Sequence, residues 1–311
     1  MIPDRLKPFM NELPELKSLT DWQPLRQWAL SEVYRAKLEN GDTRIVKWGG
    51  YEMAGEADIY RTLLTPLNIR SPRLYGSGTR DSGAVLLMED IGPHTLEQQP
   101  QAARFLEAAR ELARLRAAAA AGLARGAVAP AVLAARTAGA GLFLRQLEEL
   151  LHTVPAGSRA VLERVRRWLP DQLALLERHA PLTLVHHDYH AKNLLAQGDR
   201  VMPIDWSNAY LSPHLGDLYS LMTEAVSWAG VEEADIMQAY EDECTKLGSD
   251  YREPVPLKRQ VTAGGLCWLI RSVHWLTAGG SALIPGSEAW IPDLLDDMNR
   301  LLQAEGGYPH V

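Results

Sequence analysis

Apolar and polar positions change rhythm several times along this chain, and each change predicts a different element. Residues 1–32 carry Pro3, Pro8, Pro14 and Pro24 and show no readable period. Residues 33–38 then alternate, Glu39-Asn40-Gly41-Asp42 has the composition of a hairpin turn, and residues 43–48 return as a second strand. After Gly49-Gly50 the period becomes helical. Met53, Ala57, Tyr60 and Leu64 recur at i, i+4, i+7 and i+11, and Pro66 follows the end. Residues 71–74 and 84–88 read as two further strands that complete a sheet with the helix on it.

From Gln101 onward helical periods dominate. Phe105, Leu106, Ala109, Leu112, Ala113 and Leu115 mark one amphipathic helix. The alanine-rich residues 117–141 suit either a loosely packed helical pair or a cover over a substrate. Residues 142–151 and 158–179 follow as helices, and Pro170 is expected to break or bend the second. Helical segments at 232–247, 256–278 and 287–305 close the chain.

Between these helical blocks lies a different pattern, residues 183–206, TLVHHDYHAKNLLAQGDRVMPIDW. Leu182, Leu184 and Val185 predict a short strand entering the interior. The run His186 to His190 is too polar to be buried unpaired, so it should be a loop at the strand end. Leu194, Leu195 and Ala196, the turn Gln197-Gly198-Asp199, and Val201 to Ile204 then form a small hairpin. A hairpin folds its ends together, so Asp205 should return close to Asn193, with Asp188 just ahead in the loop. Two carboxylates and an amide oxygen then converge. Hard oxygen ligands in small number suit Mg²⁺ carrying the phosphates of a nucleotide.

Composition narrows the class. At 311 residues, 46% hydrophobic and 23% charged, the chain can form one bilobed unit or two domains. A net charge of -7 argues against nucleic acid as a partner. Cys244 and Cys267 are too few for a disulfide framework and read as free thiols in a reducing compartment. The start, MIPDRLKPFM, has no apolar signal core, and no run reaches the roughly 18 apolar residues of a membrane span. A cytoplasmic protein with no membrane partner is the expectation; nothing in the composition bears on oligomeric state.

His186-x-Asp188-x₄-Asn193, followed by Ile204-Asp205-Trp206, resembles the catalytic loop and metal-binding aspartate of the aminoglycoside phosphotransferase and choline kinase family. That family is the small-molecule branch of the protein-kinase-like fold. His-His-Asp stands where protein kinases carry His-Arg-Asp, and Asp-Trp-Ser where they carry Asp-Phe-Gly. The resemblance implies an α+β, bilobed protein-kinase-like fold. A small antiparallel-sheet lobe with one helix, residues 1–91, would bind the nucleotide. A large, mainly helical lobe, residues 92–311, would carry catalysis and the acceptor. The implied activity is transfer of the γ-phosphate of ATP, with GTP as the alternative, to a hydroxyl of a small molecule in the presence of Mg²⁺. Aminoglycoside-, amino-alcohol- and sugar-like acceptors all fit that description.

The same resemblance distributes roles. Asp188 is the base that orients the acceptor hydroxyl and takes its proton, and Asn193 and Asp205 hold the metal. Lys47 is the strand lysine on the α/β-phosphates, paired with Glu56 on the helix; Glu52, one turn earlier, is the competing choice. Glu89, Asp90 and Ile91 stand at the inter-lobe hinge, whose backbone takes the adenine edge. The place of the Gly-rich loop is held by Trp28-Ala29-Leu30-Ser31-Glu32-Val33-Tyr34, which has no glycine. Backbone N–H groups around Ser31 are left to cap a phosphate.

Asp217 braces the catalytic loop from beneath, or is an ordinary carboxylate at a helix start. His186 is a second brace, and His190 faces phosphate or acceptor. A metal site of His186, His187 and His190 is the other reading of these rings. The acidic residues of 232–253, the later Glu288, Asp293, Asp296 and Asp297, and Trp228, Trp268, Trp275 and Trp290 also admit two readings. They would suit a cationic acceptor held in an aromatic cage, or be solvated faces and core. The rival function is a catalytically silent nucleotide-binding protein with a regulatory or structural role, and the missing glycines are its support. A protein kinase is a third reading, weakened by the missing Ala-Pro-Glu segment.

Overall fold

The structure, a computed structural model, describes residues 1–28, 30–51, 54–248 and 255–305. Five antiparallel strands build its first part: β1 (Thr20–Gln27), β2 (Ser31–Lys37), β3 (Thr43–Gly49), β4 (Leu74–Arg80) and β5 (Gly83–Glu89). They lie side by side in the order β1-β2-β3-β5-β4. Alternation along the central strands divides their side chains between two faces. Val46, Trp48, Val85 and Leu87 pack on Leu6, Phe9, Leu13 and Leu16 from the chain's start. Leu86 and Met88, with Ile45 beside them, meet Ala57, Ile59, Tyr60 and Leu63 on the opposite face. Lys47, two residues after Ile45, belongs by that period with Ile45 and faces the helical part.

The proline-punctuated first residues are therefore the cover of the sheet's outer face. They form two short 3₁₀ turns, Asp4–Met10 and Pro14–Ser18, whose buried Leu and Phe side chains each contribute on the order of 1.5–3 kcal/mol. β1 was not expected, because Pro24 and two register shifts interrupt it; an edge strand tolerates both. The strand expected at 71–74 lies later, at β4, where Gly76 and Gly78 dilute the apolar signal. A Cβ on Gly76 would fall 2.5 Å from the Leu13 side chain, so glycine lets the N-terminal cover close on the sheet. The helix after β3 is α1 (Glu56–Ile59), continued by a wider π turn to Leu64. Glu52 and Met53 lie outside the described residues.

The second part is mainly helical: α2 (Ala102–Ala124), α3 (Pro130–Arg136), α4 (Ala140–Thr153), α5 (Arg159–His179), α6 (Gly216–Ala229), α7 (Glu233–Leu247), α8 (Leu257–Trp275), α9 (Ser281–Leu283) and α10 (Ile291–Glu305). Two small strand pairs sit among them. β6 (Thr183–Val185) pairs with β9 (Tyr210–Ser212), and β7 (Leu194–Gln197) with β8 (Arg200–Pro203). Alanine is the best helix former, so α2 absorbs the start of the alanine-rich stretch, and Gly126 with φ +71° follows its end. The expected break at Pro170 does not occur, since α5 runs through it.

One core unites α2, α4 to α8 and α10, and a second joins α1 to α2, Leu184, Trp206 and Leu211. α8 passes α6 at two glycines. A Cβ on Gly264 would stand 2.5 Å from the Gly216 nitrogen and the Leu215 carbonyl carbon, so this approach needs glycine. No helix among the described residues is long and apolar enough to cross a membrane.

Candidate active site

β6 is buried along its length and releases the chain at His186. Asp217, in the first turn of α6, accepts the backbone N–H of His186 at 2.7 Å and of His187 at 2.8 Å, one on each carboxylate oxygen. His186 Nε2 lies 2.9 Å from the Ile204 carbonyl. The loop is thus braced from below and from the side, where sequence placed Asp217 and His186. His187 in this loop (φ +73°) and Asp205 in the segment after β8 (φ +63°) adopt the left-handed backbone conformation. Such strain persists where surrounding bonds over-determine the chain.

The Asp188 carbonyl accepts the His190 N–H at 2.8 Å and the Asn193 side-chain amide at 3.0 Å. The Ile204 N–H donates to the Asn193 carbonyl at 2.9 Å, which closes the two ends of the β7–β8 hairpin. Asp188, Asn193 and Asp205 all line one cavity of about 840 Å³, together with Ser31 and His190.

Lys47 reaches this group from β3. Its Nζ is 2.6 Å from Glu56 Oε2 and 2.6 Å from Asp205 Oδ1. Glu56 Oε1 in turn accepts the Trp206 N–H at 3.0 Å, so α1, β3 and the segment after β8 are tied at one point. Burial works against the Lys47 charge, but Asp205 and Glu56 outweigh it and raise its pKa above the ordinary lysine value. Burial likewise opposes ionised Asp205, and Lys47, then Arg26, overcome it and bring the carboxyl down to about 2. Glu56 is pushed upward by burial against the pull of Lys47. Asp188 is lowered: burial resists, while His187, His190 and an Asn208 amide at 2.6 Å favour the carboxylate.

Burial depresses His186 to about 4, and burial with Arg271 depresses His187 to about 3, so both rings are neutral near pH 7. His186 is turned to the Ile204 carbonyl, and His190 to Ser220 Oγ at 3.1 Å and Glu224 at 3.3 Å. Among the described residues no group of three or more His, Cys, Asp or Glu gathers as a metal site. The oxygen pair is a better fit to a hard cation. Asp205 is ionised, and Asn193 commits its amide nitrogen to the Asp188 carbonyl, which leaves its oxygen as an acceptor. One carboxylate and one amide oxygen suit a Mg²⁺ ion that shares its shell with phosphates.

Other expected residues lie apart from the cavity. Glu89, Asp90 and Ile91 do not line it. Asp90 is held by Arg35 at 2.5 and 3.0 Å and accepts the Gly92 N–H at 3.2 Å, while the Glu89 N–H donates to Arg73. In the turn between β1 and β2 the Trp28 N–H donates to the Ser31 carbonyl at 2.8 Å, and Ala29 lies outside the described residues. The acidic run falls mainly on α7, which packs against α2, and none of its residues lines the cavity; 249–253 lie outside the described residues. Trp268, Trp275 and Trp290 do line it, and Trp228 does not.

Two lining arginines had no sequence signal. Arg26 stacks 3.7 Å from the Trp28 ring centre, with Nη1 4.0 Å from Asp205 Oδ2. Arg271 lies over Tyr210 at 4.4 Å. Both depend on distant segments meeting, and β1 itself had to be recognised before Arg26 could be placed.

A small sheet over a helical part, with a lysine–glutamate pair facing a catalytic-type loop and a following aspartate, defines a kinase-like phosphotransferase architecture. The model of the phosphotransferase enzyme family (APH) matches residues 21–254, and the chain belongs to that family. Among solved structures, a choline/ethanolamine kinase family protein from Mesorhizobium loti is 17% identical, with a TM-score of 0.64 over 97% of this chain and 95% of that one. A thermostable mutant of the aminoglycoside phosphotransferase APH(4)-Ia is 15% identical, with a TM-score of 0.59 over 95% and 98%. The aminoglycoside phosphotransferase APH(3'')-Id from Streptomyces rimosus, in complex with ADP and streptomycin, is 19% identical, with a TM-score of 0.56 over 87% and 99%. These likenesses establish the bilobed protein-kinase-like fold. No curated protein matches the sequence.

Proposed function

We propose that this protein is an ATP-dependent small-molecule kinase that moves the γ-phosphate onto an acceptor hydroxyl. The observation that carries this reading is the single cavity lined by Asp188, Asn193 and Asp205, with Lys47 held 2.6 Å from Asp205 behind it. Membership of the phosphotransferase family supports it. So do the complexes of the structural neighbours, APH(4)-Ia with ADP and hygromycin B and APH(3'')-Id with ADP and streptomycin.

In this reading residues 1–91 form the nucleotide-binding lobe and residues 92–311 the catalytic and acceptor-binding lobe. Lys47, aimed by Glu56, binds the α/β-phosphates, and backbone around Ser31 covers them. The backbone of Glu89, Asp90 and Ile91 takes the adenine edge on the strength of the resemblance alone. Asn193 and Asp205 hold Mg²⁺, which supplies charge neutralisation at the phosphate oxygens.

Asp188 orients the acceptor hydroxyl. The acceptor oxygen bonds to the γ-phosphorus, the bridging P–O bond to ADP breaks, and the hydroxyl proton passes to Asp188. A carboxylate of low pKa suffices, because the transition state is largely dissociative and the proton leaves late. Asp217 and His186 hold the loop, and His190, 4.0 Å from Asp188 Oδ1, stands beside the reacting groups. Use of ATP, with two free cysteines, fits a cytoplasmic enzyme.

The test is transfer of label from γ-labelled ATP, and separately GTP, to a panel of aminoglycosides, amino alcohols, sugars and hydroxy acids. Labelled product is expected with the wild type and is lost in Asp188→Ala. Equal turnover by Asp188→Ala contradicts the role given to this residue.

A further inference from the structure

The wall of the cavity opposite the sheet is one face of α8. Trp268, Arg271, Ser272 and Trp275 fall at i, i+3, i+4 and i+7 and all line it, and Trp290 and Ile284 extend the apolar surface. Trp268 Nε1 donates to the His187 carbonyl at 2.6 Å, which fixes this face against the loop that carries Asp188. Arg271 stands in the middle of it. Its guanidinium lies 4.4 Å from the centre of the Tyr210 ring, which also has the His187 ring at 5.8 Å.

Among the described residues no carboxylate pairs with Arg271 and no acceptor takes its hydrogen bonds, and its Nε is buried without a partner. A partly buried guanidinium without an anion is costly unless something arrives to meet it. Its field is felt by its neighbour, where Arg271 stands second to burial in depressing the His187 pKa to about 3.

The charges around the cavity point the same way. Its lining carboxylates are Asp188 and Asp205, and both are engaged, by Asn208 and by Lys47. The next carboxylates out, Glu149 and Glu224, meet His274 at 2.6 Å and His190 at 3.3 Å. Against these the lining adds Arg26, Lys192 and Arg271. A molecule bearing several ammonium groups finds no unengaged carboxylate among the described lining residues. A carboxylate finds Arg271, whose planar fork of donors matches it in two parallel hydrogen bonds.

We propose that the acceptor is a hydroxy acid with an apolar, ring-sized body. Its carboxylate pairs with Arg271, its body lies against Trp268, Trp275 and Trp290, and its hydroxyl meets Asp188. This inference rests on the kinase reading of the same cavity and names the acceptor class for it.

Three probes share a ring and a hydroxymethyl group and differ in charge: 4-(hydroxymethyl)benzoate, 1,4-benzenedimethanol and 4-(hydroxymethyl)benzylamine. Each is titrated by calorimetry into the wild type, Arg271→Gln and Arg271→Lys, all carrying Mg²⁺ and AMP-PNP. The carboxylate is expected to bind the wild type at least tenfold more tightly than the diol, and the amine most weakly. Arg271→Gln brings the carboxylate to the level of the diol and leaves the affinities for the diol and AMP-PNP unchanged. Arg271→Lys keeps the order of the three probes. An amine that binds tightest, a carboxylate no better than the diol, or a carboxylate preference that survives Arg271→Gln overturns the proposal. So does a loss of AMP-PNP affinity in Arg271→Gln, which would make this arginine a phosphate ligand. Failure of the wild type to bind AMP-PNP sinks the kinase reading itself; intact AMP-PNP binding with an amine preference sinks the acceptor class alone.

Discussion

Lys47 Nζ lies 2.6 Å from Asp205 Oδ1, a contact that joins the third strand of the sheet to the segment leaving the hairpin of the helical part. The same ammonium is 2.6 Å from fully buried Glu56, so it separates two carboxylates that would otherwise face each other in the interior. Removing one member of a buried ion pair costs about 3–5 kcal/mol, because the remaining charge is left uncompensated. Lys47→Met is expected to lose stability on that scale in urea unfolding. The double variant Lys47→Met/Glu56→Gln should recover part of it. A single variant as stable as the double one contradicts this account of the triad.

Arg26 replaces a feature that the turn before β2 lacks. With its guanidinium on Trp28 and 4.0 Å from Asp205, it presents a cation beside the place proposed for the phosphates. Arg26→Ala is expected to raise the KM for ATP on the order of tenfold, about the value of one charge-assisted hydrogen bond. The KM for the acceptor should stay within a factor of two. A change confined to the acceptor KM would place Arg26 on the wrong substrate.

The position of α8 depends on Gly264. A methyl group there meets the backbone of Leu215 and Gly216 at 2.5 to 2.6 Å, and backbone cannot swing aside as a flexible side chain can. Gly264→Ala is expected to cost about 1–3 kcal/mol as an overpacked contact. It should also weaken acceptor binding, because Trp268 and Arg271 ride on the same helix. Thermal unfolding and acceptor titration check the two effects, and an unchanged Tm contradicts the first.

Asp217 gives a pH dependence whose sign can be worked out. Burial raises its carboxyl from 3.8 to about 6, against the two backbone N–H groups that favour the anion. The folded state therefore holds a proton between about pH 4 and 6 that the unfolded chain has released. Stability from this group rises as pH falls through that window, by up to about 1.4 kcal/mol per pH unit. Above about pH 6 the difference between wild type and Asp217→Asn should be constant. Below it the wild type should gain on the variant. Urea unfolding of both at several pH values tests this, since His186 and His187 are common to the two proteins; parallel curves from pH 4 to 7 contradict it.

How much of this was legible depended on whether a feature is local. The β7–β8 hairpin could be read because Gly198 (φ +59°) marks its turn, and the hairpin alone places Asn193 next to Asp205. Lys47 and Glu56 followed from a strand and a helical period. β1 was hidden by Pro24 and its irregular pairing, and β4 was displaced by Gly76, which admits Leu13, and by Gly78. The acidic residues of 232–253 stayed open between cleft wall and solvated face, because charge along a helix does not say which way the helix faces; none of the described ones lines the cavity, whereas Trp268, Trp275 and Trp290 do. Trp268, Arg271 and Trp275 form a wall through the Gly216–Gly264 crossing, which is a tertiary fact. The left-handed backbone at His187 and Asp205 likewise has no residue signature.

The central claim is that Asp205 serves the nucleotide's metal while Asp188 serves the acceptor. Calorimetric titration of AMP-PNP, with Mg²⁺ and with EDTA, into wild type, Asp205→Ala and Asp188→Ala separates the two. The wild type and Asp188→Ala should bind with the same Mg²⁺ dependence, although turnover in Asp188→Ala falls by about 10²–10⁴. Asp205→Ala should lose that dependence together with at least tenfold in affinity. Binding by Asp205→Ala that still requires Mg²⁺, with wild-type affinity, would contradict the account.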